Sequence, residues 1–191
     1  MVELMSLSRV EEVFGKFSYT EVGNGLISID PEWSKANFVT FNFPIVGVMR
    51  CHKLVQSSFL KIFTEIEQQG LGQYINLKGG GGCYCPRHKL WDKKNVLSKH
   101  SWAICLDANV QANPYGKLSN LPLSFNESNS NTAPIIKIFE SNQFVWGGRF
   151  RGTLADPMHW EIIPNFKPIV IATNLADNKI IDVSSSQVTT V

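Results

Sequence analysis

Cysteine is scarce in this sequence of 191 residues, and its spacing argues against two common kinds of small domain. The four cysteines are Cys51, Cys83, Cys85 and Cys105, and no two of them form a C-x-x-C pair. We therefore expect neither a disulfide-dense scaffold nor a zinc site built from four cysteines. The default interpretation is four reduced thiols, most of them buried.

Long apolar runs and a strong excess of one charge are missing as well. No stretch approaches the roughly 20 apolar residues of a membrane-spanning helix, so we expect no membrane span. The N-terminus has no basic segment followed by an apolar one, and it carries Glu3, Glu11 and Glu12, so we expect no signal peptide. The net charge of +2 is too small to indicate nucleic-acid binding.

Hydrophobic spacing predicts three amphipathic helices, over residues 8–17, 54–69 and 133–143. Ser8 and Glu11 form a capping-box pattern at the start of the first helix, and Gly70 is placed to end the second. Alternating or β-rich patterns predict extended strands, over residues 38–49, 102–110, 159–163 and 168–172.

Two further stretches read as loops. Four consecutive glycines at residues 79–82 predict a loop that allows a close approach of the backbone to a neighbouring group. Residues 117–131 predict a polar surface loop. Because helices and strands do not alternate regularly, the pattern favours an α+β fold with an antiparallel sheet. We expect one domain over residues 1–183, with residues 1–44 packed on it as an N-terminal extension, and a polar tail over residues 184–191.

Two of the four histidines lie close to carboxylates in the sequence. His100 precedes a predicted strand that contains Asp107 among small and apolar residues, where a buried carboxylate needs a partner such as a cation. His159 opens another predicted strand, and Asp156 precedes it across Pro157. Two histidines and one aspartate leave a fourth tetrahedral position for water, and Asp156 could accept a proton from that water. Spacing alone leaves open the simpler alternatives, a packed histidine and a turn-forming aspartate.

Longer motifs surround these residues. The segment over residues 98–107 reads SKHSWAICLD and resembles the S-x-H-x-x-G-x-A-x-D motif of the family of D-Ala-D-Ala carboxypeptidases and L-Ala-D-Glu endopeptidases. Residues 156–161 read DPMHWE and resemble the family's D-x-M-H-[FW]-E motif. Residues 82–87 read GCYCPR and resemble its upstream G-x-Y-x-P-R segment. The family's glycine is Ala103 here, and its alanine is Cys105.

The resemblance implies a zinc site with a catalytic base. It implies that His100, Asp107 and His159 bind Zn²⁺. It also implies that Asp156 is the general base and that Arg87 is a cation beside the scissile carbonyl.

The resemblance and the strand pattern give further candidates for the site. Glu161 shares a strand face with His159 and either supports the ligand imidazole or is a rival general base. Ser98 and Tyr84 are predicted substrate contacts, and Trp146 is predicted to line the substrate cleft. Cys105 is expected to fill space, although a thiol two residues from a ligand could reach the metal.

The resemblance also implies a fold and an activity. The fold is the small α+β type shared by Hedgehog and D-Ala-D-Ala peptidases, and the activity is hydrolysis of an amide bond in the peptidoglycan stem peptide. An L-Ala-D-Glu endopeptidase and a D-Ala-D-Ala carboxypeptidase both stay open. The missing signal peptide favours an endolysin-like, phage-derived enzyme that is cytoplasmic until lysis or is phage-associated.

A non-catalytic zinc-binding domain of a phage particle is an alternative of a different class, and a zinc enzyme acting on another amide is a third hypothesis. We expect a monomer that binds the stem peptide and no nucleic acid.

Overall fold

A computed structural model describes residues 3–169, 171–174 and 179–182. The helices in these ranges are α1 (Leu7–Phe14), α2 (Pro31–Asn37), α3 (Gln56–Gln68) and α4 (Ala133–Ser141). The strands are β1 (Tyr19–Gly23), β2 (Leu26–Ile29), β3 (Phe38–Phe43), β4 (Gly47–His52), β5 (Cys105–Asp107), β6 (Phe144–Trp146), β7 (His159–Ile162), β8 (Ile171–Asn174) and β9 (Lys179–Asp182). Within the same ranges, no helix combines the length and apolarity that a membrane crossing requires.

The strand pairs that the structure describes are antiparallel. Three are hairpins, β1–β2, β3–β4 and β8–β9, and the remaining strands form one sheet in the order β5-β7-β6. Helices and small antiparallel sheets together confirm the predicted α+β class.

The predicted helices are present, with shorter bounds than predicted. α1 begins after Ser6, whose hydroxyl accepts a hydrogen bond from the backbone N–H of Arg9 at 3.2 Å, so the prediction of Ser8 as the cap is wrong. α3 ends at Gln68, and Gly70 follows with a φ of 68°, the left-handed conformation that suits glycine at a helix end.

The strand predictions hold in part. The predicted extended region over residues 38–49 is the β3–β4 hairpin, and the strand predicted over residues 159–163 is β7. The strand predicted over residues 102–110 is wrong in its bounds, because only Cys105–Asp107 is strand and the residues before it form a 3₁₀ turn. The predicted tail over residues 184–191 lies outside the described residues.

The N-terminal elements share a hydrophobic core with the rest of the described chain. The ring of Phe17 lies 4.6 Å from that of Trp102, and the indole N–H of Trp102 donates to the carbonyl of Gly15 at 2.8 Å. On the other side of the core, Phe139 of α4 stacks on Trp160 of β7 at 4.2 Å. Because side chains alternate along a strand, burial of Trp160 turns the neighbouring residues of β7 to the opposite face of the sheet.

The four-glycine loop packs against the edge of that sheet. Gly82 and Asp107 exchange backbone hydrogen bonds of 2.8 and 3.0 Å. A Cβ atom on Gly81 would lie 2.7 Å from the carbonyl oxygen of Asp107, so a larger residue would push the loop away from β5. The predicted close backbone approach is therefore an approach to Asp107.

Candidate metal centre

The register of the three-stranded sheet brings four polar side chains together. Asp107 of β5 lies opposite His159 of β7, and Cys105 lies opposite Glu161. Residues two apart on a strand share a face, so all four side chains are directed to the same side of the sheet. His100 reaches this side from the preceding turn.

The turn that carries His100 is a 3₁₀ helix over Lys99–Trp102. Ser98 caps it, since its hydroxyl accepts a hydrogen bond from the backbone N–H of His100 at 3.4 Å. Ala103 ends the turn with a φ of 52° and a ψ of 45°, a left-handed conformation that costs a residue with a Cβ roughly 1–2 kcal/mol. The motif that this segment resembles has glycine at this position, where glycine adopts the same conformation without that cost.

The three predicted metal ligands converge. Nε2 of His100 lies 3.3 Å from Nδ1 of His159. One carboxylate oxygen of Asp107 lies 3.1 Å from Nε2 of His100, and the other lies 2.9 Å from Nδ1 of His159. Donor atoms about 2.0–2.2 Å from a tetrahedral metal lie roughly 3.3–3.6 Å apart. The distance between the two nitrogens fits this spacing. The carboxylate oxygens would need to move away from the nitrogens by only a few tenths of an ångström.

In each imidazole, the ring nitrogen that points away from the candidate metal position faces a hydrogen-bond acceptor. Nδ1 of His100 lies 3.0 Å from the carbonyl oxygen of Cys83, and Nε2 of His159 lies 3.5 Å from Oε2 of Glu161. An imidazole that binds a metal through one nitrogen carries its proton on the other, where an acceptor usually holds it. Both histidines therefore have the environment that a metal ligand requires.

Burial and charge make this cluster a strong site for positive charge. Burial alone would lower the pKa of His100, but Cys105 and Asp107 raise it to about 10. Burial likewise opposes protonation of His159, while Asp107 and Glu161 raise its pKa to about 10. Burial alone would raise the pKa of Asp107, but the two imidazoles bring it well below its usual range. Without a metal, protons on the imidazoles supply the positive charge that Asp107 attracts.

Asp156 lies at the edge of the same cluster. Burial raises the pKa of its carboxyl group, and the neighbouring charges that act on it include His159, Asp107 and Arg87. Its Oδ1 atom is buried and has no hydrogen-bond partner within the described chain. An unpartnered carboxylate oxygen within electrostatic range of both imidazoles is a candidate for accepting a proton.

Arg87 lies within electrostatic range of Asp156. Its guanidinium carbon is 4.9 Å from the ring centre of Trp91, and its buried Nε has no partner among the described residues. The backbone of Arg87 is fixed to the His100 turn, because Ser101 Oγ accepts from its N–H at 3.0 Å and donates to its carbonyl at 3.1 Å.

The three predicted substrate-contacting residues have different surroundings. Tyr84 is half-buried and packs on Phe38 and Arg50. Ser98 is buried and caps the turn. Trp146 is 2% exposed, and its indole N–H donates to the carbonyl of Pro157 at 2.8 Å, so it supports the turn that carries Asp156. Contact of these side chains with a substrate stays a prediction.

Glu161 has a partner that the sequence does not predict. Lys99 is buried, and its ammonium group forms an ion pair with Oε1 of Glu161. Glu161 is therefore held between Lys99 and His159, which favours its supporting role over its role as a rival base. The only hint of this contact in the sequence is that Lys99 precedes a candidate ligand histidine. The hint is weak, because lysine side chains are usually exposed.

Cys105 is fully buried within this cluster. Its sulfur and one ring nitrogen each of His100 and His159 lie within 4.8 Å of one another. Cys105 is therefore a second candidate for the third ligand, in place of or beside Asp107. Either donor set, with two imidazoles and one anion, suits zinc.

Comparison with known families supports the motifs. Residues 91–162 match the model of a family described as D-alanyl-D-alanine carboxypeptidase. This segment contains His100, Asp107, Asp156 and His159, whereas Arg87 precedes it. No curated protein and no solved structure matches the chain significantly. The resemblance that the two motifs predicted is thus confirmed over the matched segment.

Proposed function

We propose that this protein is a zinc-dependent peptidase that hydrolyses an amide bond in the peptidoglycan stem peptide. The similarity of residues 91–162 to the D-alanyl-D-alanine carboxypeptidase family supports peptidase activity on this class of substrate. The observation that carries the proposal is the convergence of His100, Asp107 and His159 with donor atoms 2.9–3.3 Å apart. The Hedgehog and D-Ala-D-Ala peptidase fold type belongs to the same proposal.

His100 would bind zinc through Nε2, His159 through Nδ1 and Asp107 through a carboxylate oxygen. When bound, zinc supplies Lewis-acid polarisation of a carbonyl group and lowers the pKa of water. His159 and Asp107 are more exposed than His100, with 12%, 17% and 3% of their side-chain surfaces accessible, so substrate would approach from their side.

Asp156 and Arg87 would carry the remaining steps. Asp156 accepts a proton from the attacking water and passes it to the leaving amine, and its raised pKa brings it nearer to the pH at which both transfers are efficient. Arg87 stabilises the negative charge that develops on the carbonyl oxygen. These roles rest on the resemblance, on the electrostatic interaction of Asp156 with both imidazoles, and on that of Arg87 with Asp156.

The test is digestion of purified peptidoglycan by the zinc-loaded protein, followed by measurement of new amino groups. Asp156→Ala is expected to lower the rate by about 10²- to 10⁴-fold, the usual contribution of a general base, while zinc stays bound. Glu67→Gln, an exposed acid on α3, is the matched control and is expected to leave the rate unchanged. Equal rates in the wild type and Asp156→Ala would contradict the proposal.

Mass spectrometry of the fragments would identify the bond. New L-Ala carboxyl ends mark an L-Ala-D-Glu endopeptidase, and loss of a terminal D-Ala marks a carboxypeptidase. The endopeptidase is the activity expected of an endolysin-like phage enzyme. That role, the cytoplasmic location before lysis and the monomeric state stay predictions.

One observation favours the non-catalytic alternative. Structural zinc sites are closed by four protein ligands and often include cysteine, and Cys105 could supply a fourth ligand here. Zinc binding without release of amines from peptidoglycan would favour that alternative.

A further inference from the structure

Lys99 is a buried charged residue that contacts Glu161 in the candidate metal centre. It belongs to the same 3₁₀ turn as His100, and its side chain is 5% exposed. Removing an ammonium group from water is costly unless a close anion and hydrogen bonds compensate for it. The carboxylate that compensates for it is that of Glu161, whose side chain is 7% exposed.

The carboxylate of Glu161 has a different partner on each oxygen. Oε1 forms the ion pair with Lys99, and Oε2 lies 3.5 Å from Nε2 of His159. The other ring nitrogen of His159, Nδ1, faces Asp107 and His100. Glu161 thus connects the lysine to the nitrogen of His159 that points away from the candidate metal position.

The imidazoles of His100 and His159 are held by different kinds of hydrogen-bond acceptor. The acceptor for His100 is a backbone carbonyl, that of Cys83, in a loop fixed to β5 by the hydrogen bonds between Gly82 and Asp107. The acceptor for His159 is a side chain with three rotatable bonds. A side-chain acceptor keeps its place only when a second contact fixes it, and for Glu161 that contact is Lys99.

We propose that Lys99 is a positioning residue for the metal site and acts through Glu161. It fixes Oε2 of Glu161 opposite Nε2 of His159, which keeps the proton of His159 on Nε2 and leaves the lone pair of Nδ1 free for the metal. The proposal rests on the zinc site described above. The 3₁₀ turn over Lys99–Trp102 would then carry both His100, which is a proposed ligand, and Lys99, which fixes the position of the other imidazole, that of His159.

The first test measures zinc affinity by competition with a chromophoric chelator. Lys99→Met, which fills the buried space without charge, is expected to weaken zinc binding about 10- to 100-fold, as is usual when an outer partner of a ligand is lost. Lys99→Gln, which can still hydrogen-bond Glu161, is a second variant in case Lys99→Met does not fold, and it is expected to weaken binding less than Lys99→Met.

A double-mutant cycle separates action through Glu161 from a general loss of stability. Glu161→Gln keeps an oxygen that can accept from His159 but no longer attracts a cation. In that background, Lys99→Met is expected to change zinc affinity by less than about threefold, because the coupling between the two positions is gone. An equal loss of affinity in both backgrounds would refute the proposal.

The second readout is the ¹⁵N NMR spectrum of the His159 ring in the zinc-loaded protein. The wild type is expected to show an Nε2–H resonance shifted by the hydrogen bond to Glu161, and Lys99→Met is expected to move that resonance and to show exchange with the zinc-free ring. A lysine that served only as packing would lower thermal stability and leave both this spectrum and the zinc affinity unchanged. Failure of peptidoglycan hydrolysis in a wild type that binds zinc would instead count against the proposed function.

Discussion

At the scale of single residues, two side chains are candidates for the third ligand of the metal. Asp107 lies 2.9 and 3.1 Å from the inward nitrogens of the two imidazoles, and the sulfur of Cys105 lies within 4.8 Å of their ring nitrogens. The shorter contacts and the partial exposure of Asp107 favour the carboxylate as the third ligand. Cys105 is fully buried and sits deeper in the sheet.

We therefore expect different results from removing these two side chains. Asp107→Ala should weaken zinc binding by more than about 100-fold, the upper range for loss of a ligand's outer partner. Cys105→Ala, which restores the residue of the family motif, should change zinc affinity by less than about threefold, or under 1 kcal/mol. Both affinities can be measured by chelator competition.

Cobalt substitution provides the control for this prediction. Wild-type protein loaded with Co²⁺ should lack a sulfur-to-metal charge-transfer band in the near-ultraviolet spectrum. A band that Cys105→Ala abolishes would show that the thiolate is a ligand, and it would favour the closed, structural kind of site.

Two motifs in the sequence predicted the candidate ligands, but nothing in the sequence predicted the contact between Lys99 and Glu161. The two motifs fix the order and separation of the four candidate residues, which are His100, Asp107, Asp156 and His159. The contact of Lys99 with Glu161 joins residues 62 positions apart, and it depends on the pairing of β5 with β7. A single sequence carries no periodic signal for such a contact.

At the scale of elements, the turn before β5 decides where His100 points. The alternation of residues 102–110 predicted a strand throughout, but the structure has a 3₁₀ turn over Lys99–Trp102 and a strand of only three residues. The prediction was wrong because apolar residues in a buried turn can alternate as they do in a strand. The informative residue was Ala103, which stands where the motif has glycine.

Substitutions at Ala103 should reveal the left-handed conformation. Ala103→Gly relieves about 1 kcal/mol of backbone strain but adds flexibility and loses a buried methyl group, so the free energy of unfolding should change little. Ala103→Val places a β-branched residue in the same conformation within a fully buried site, and should lower that free energy by roughly 2 kcal/mol or more.

Urea unfolding of the metal-free variants measures both effects. Ala103→Val should also weaken zinc binding, because Ala103 ends the turn that carries His100. Equal stability of the valine variant and the wild type would mean that the turn does not require a left-handed residue at this position.

At the scale of the whole molecule, the N-terminal region packs against the elements that carry the site. Residues 1–44 were expected to pack on the domain. Neither α2 nor the β1–β2 hairpin could be predicted, because both are short and lack strong periodicity. The shared core supports a single domain, which stays a prediction. His52 is one of the links between the two parts.

His52 is buried with both ring nitrogens in use. Nε2 lies 3.2 Å from the carbonyl oxygen of Phe14 at the end of α1, and Nδ1 accepts from the backbone N–H of Leu54 at 3.2 Å. This arrangement suits the neutral ring, because a proton on Nδ1 would displace the hydrogen bond from Leu54. Burial lowers the pKa of His52 from 6.5 to about 4.

Acid should therefore weaken the attachment of the N-terminal region to the core. Between pH 6.5 and pH 4 the unfolded chain binds a proton at His52 that the folded protein does not, so stability from this residue is complete above pH 6.5 and is lost as the pH falls towards 4. The full loss is on the order of 3 kcal/mol, at 1.36 kcal/mol for each pKa unit. Urea unfolding of the metal-free wild type and of His52→Gln across this range isolates the effect, since all other groups titrate in both proteins. The wild type should lose more stability than the variant as the pH falls, whereas parallel curves would show that His52 keeps an ordinary pKa in the folded protein.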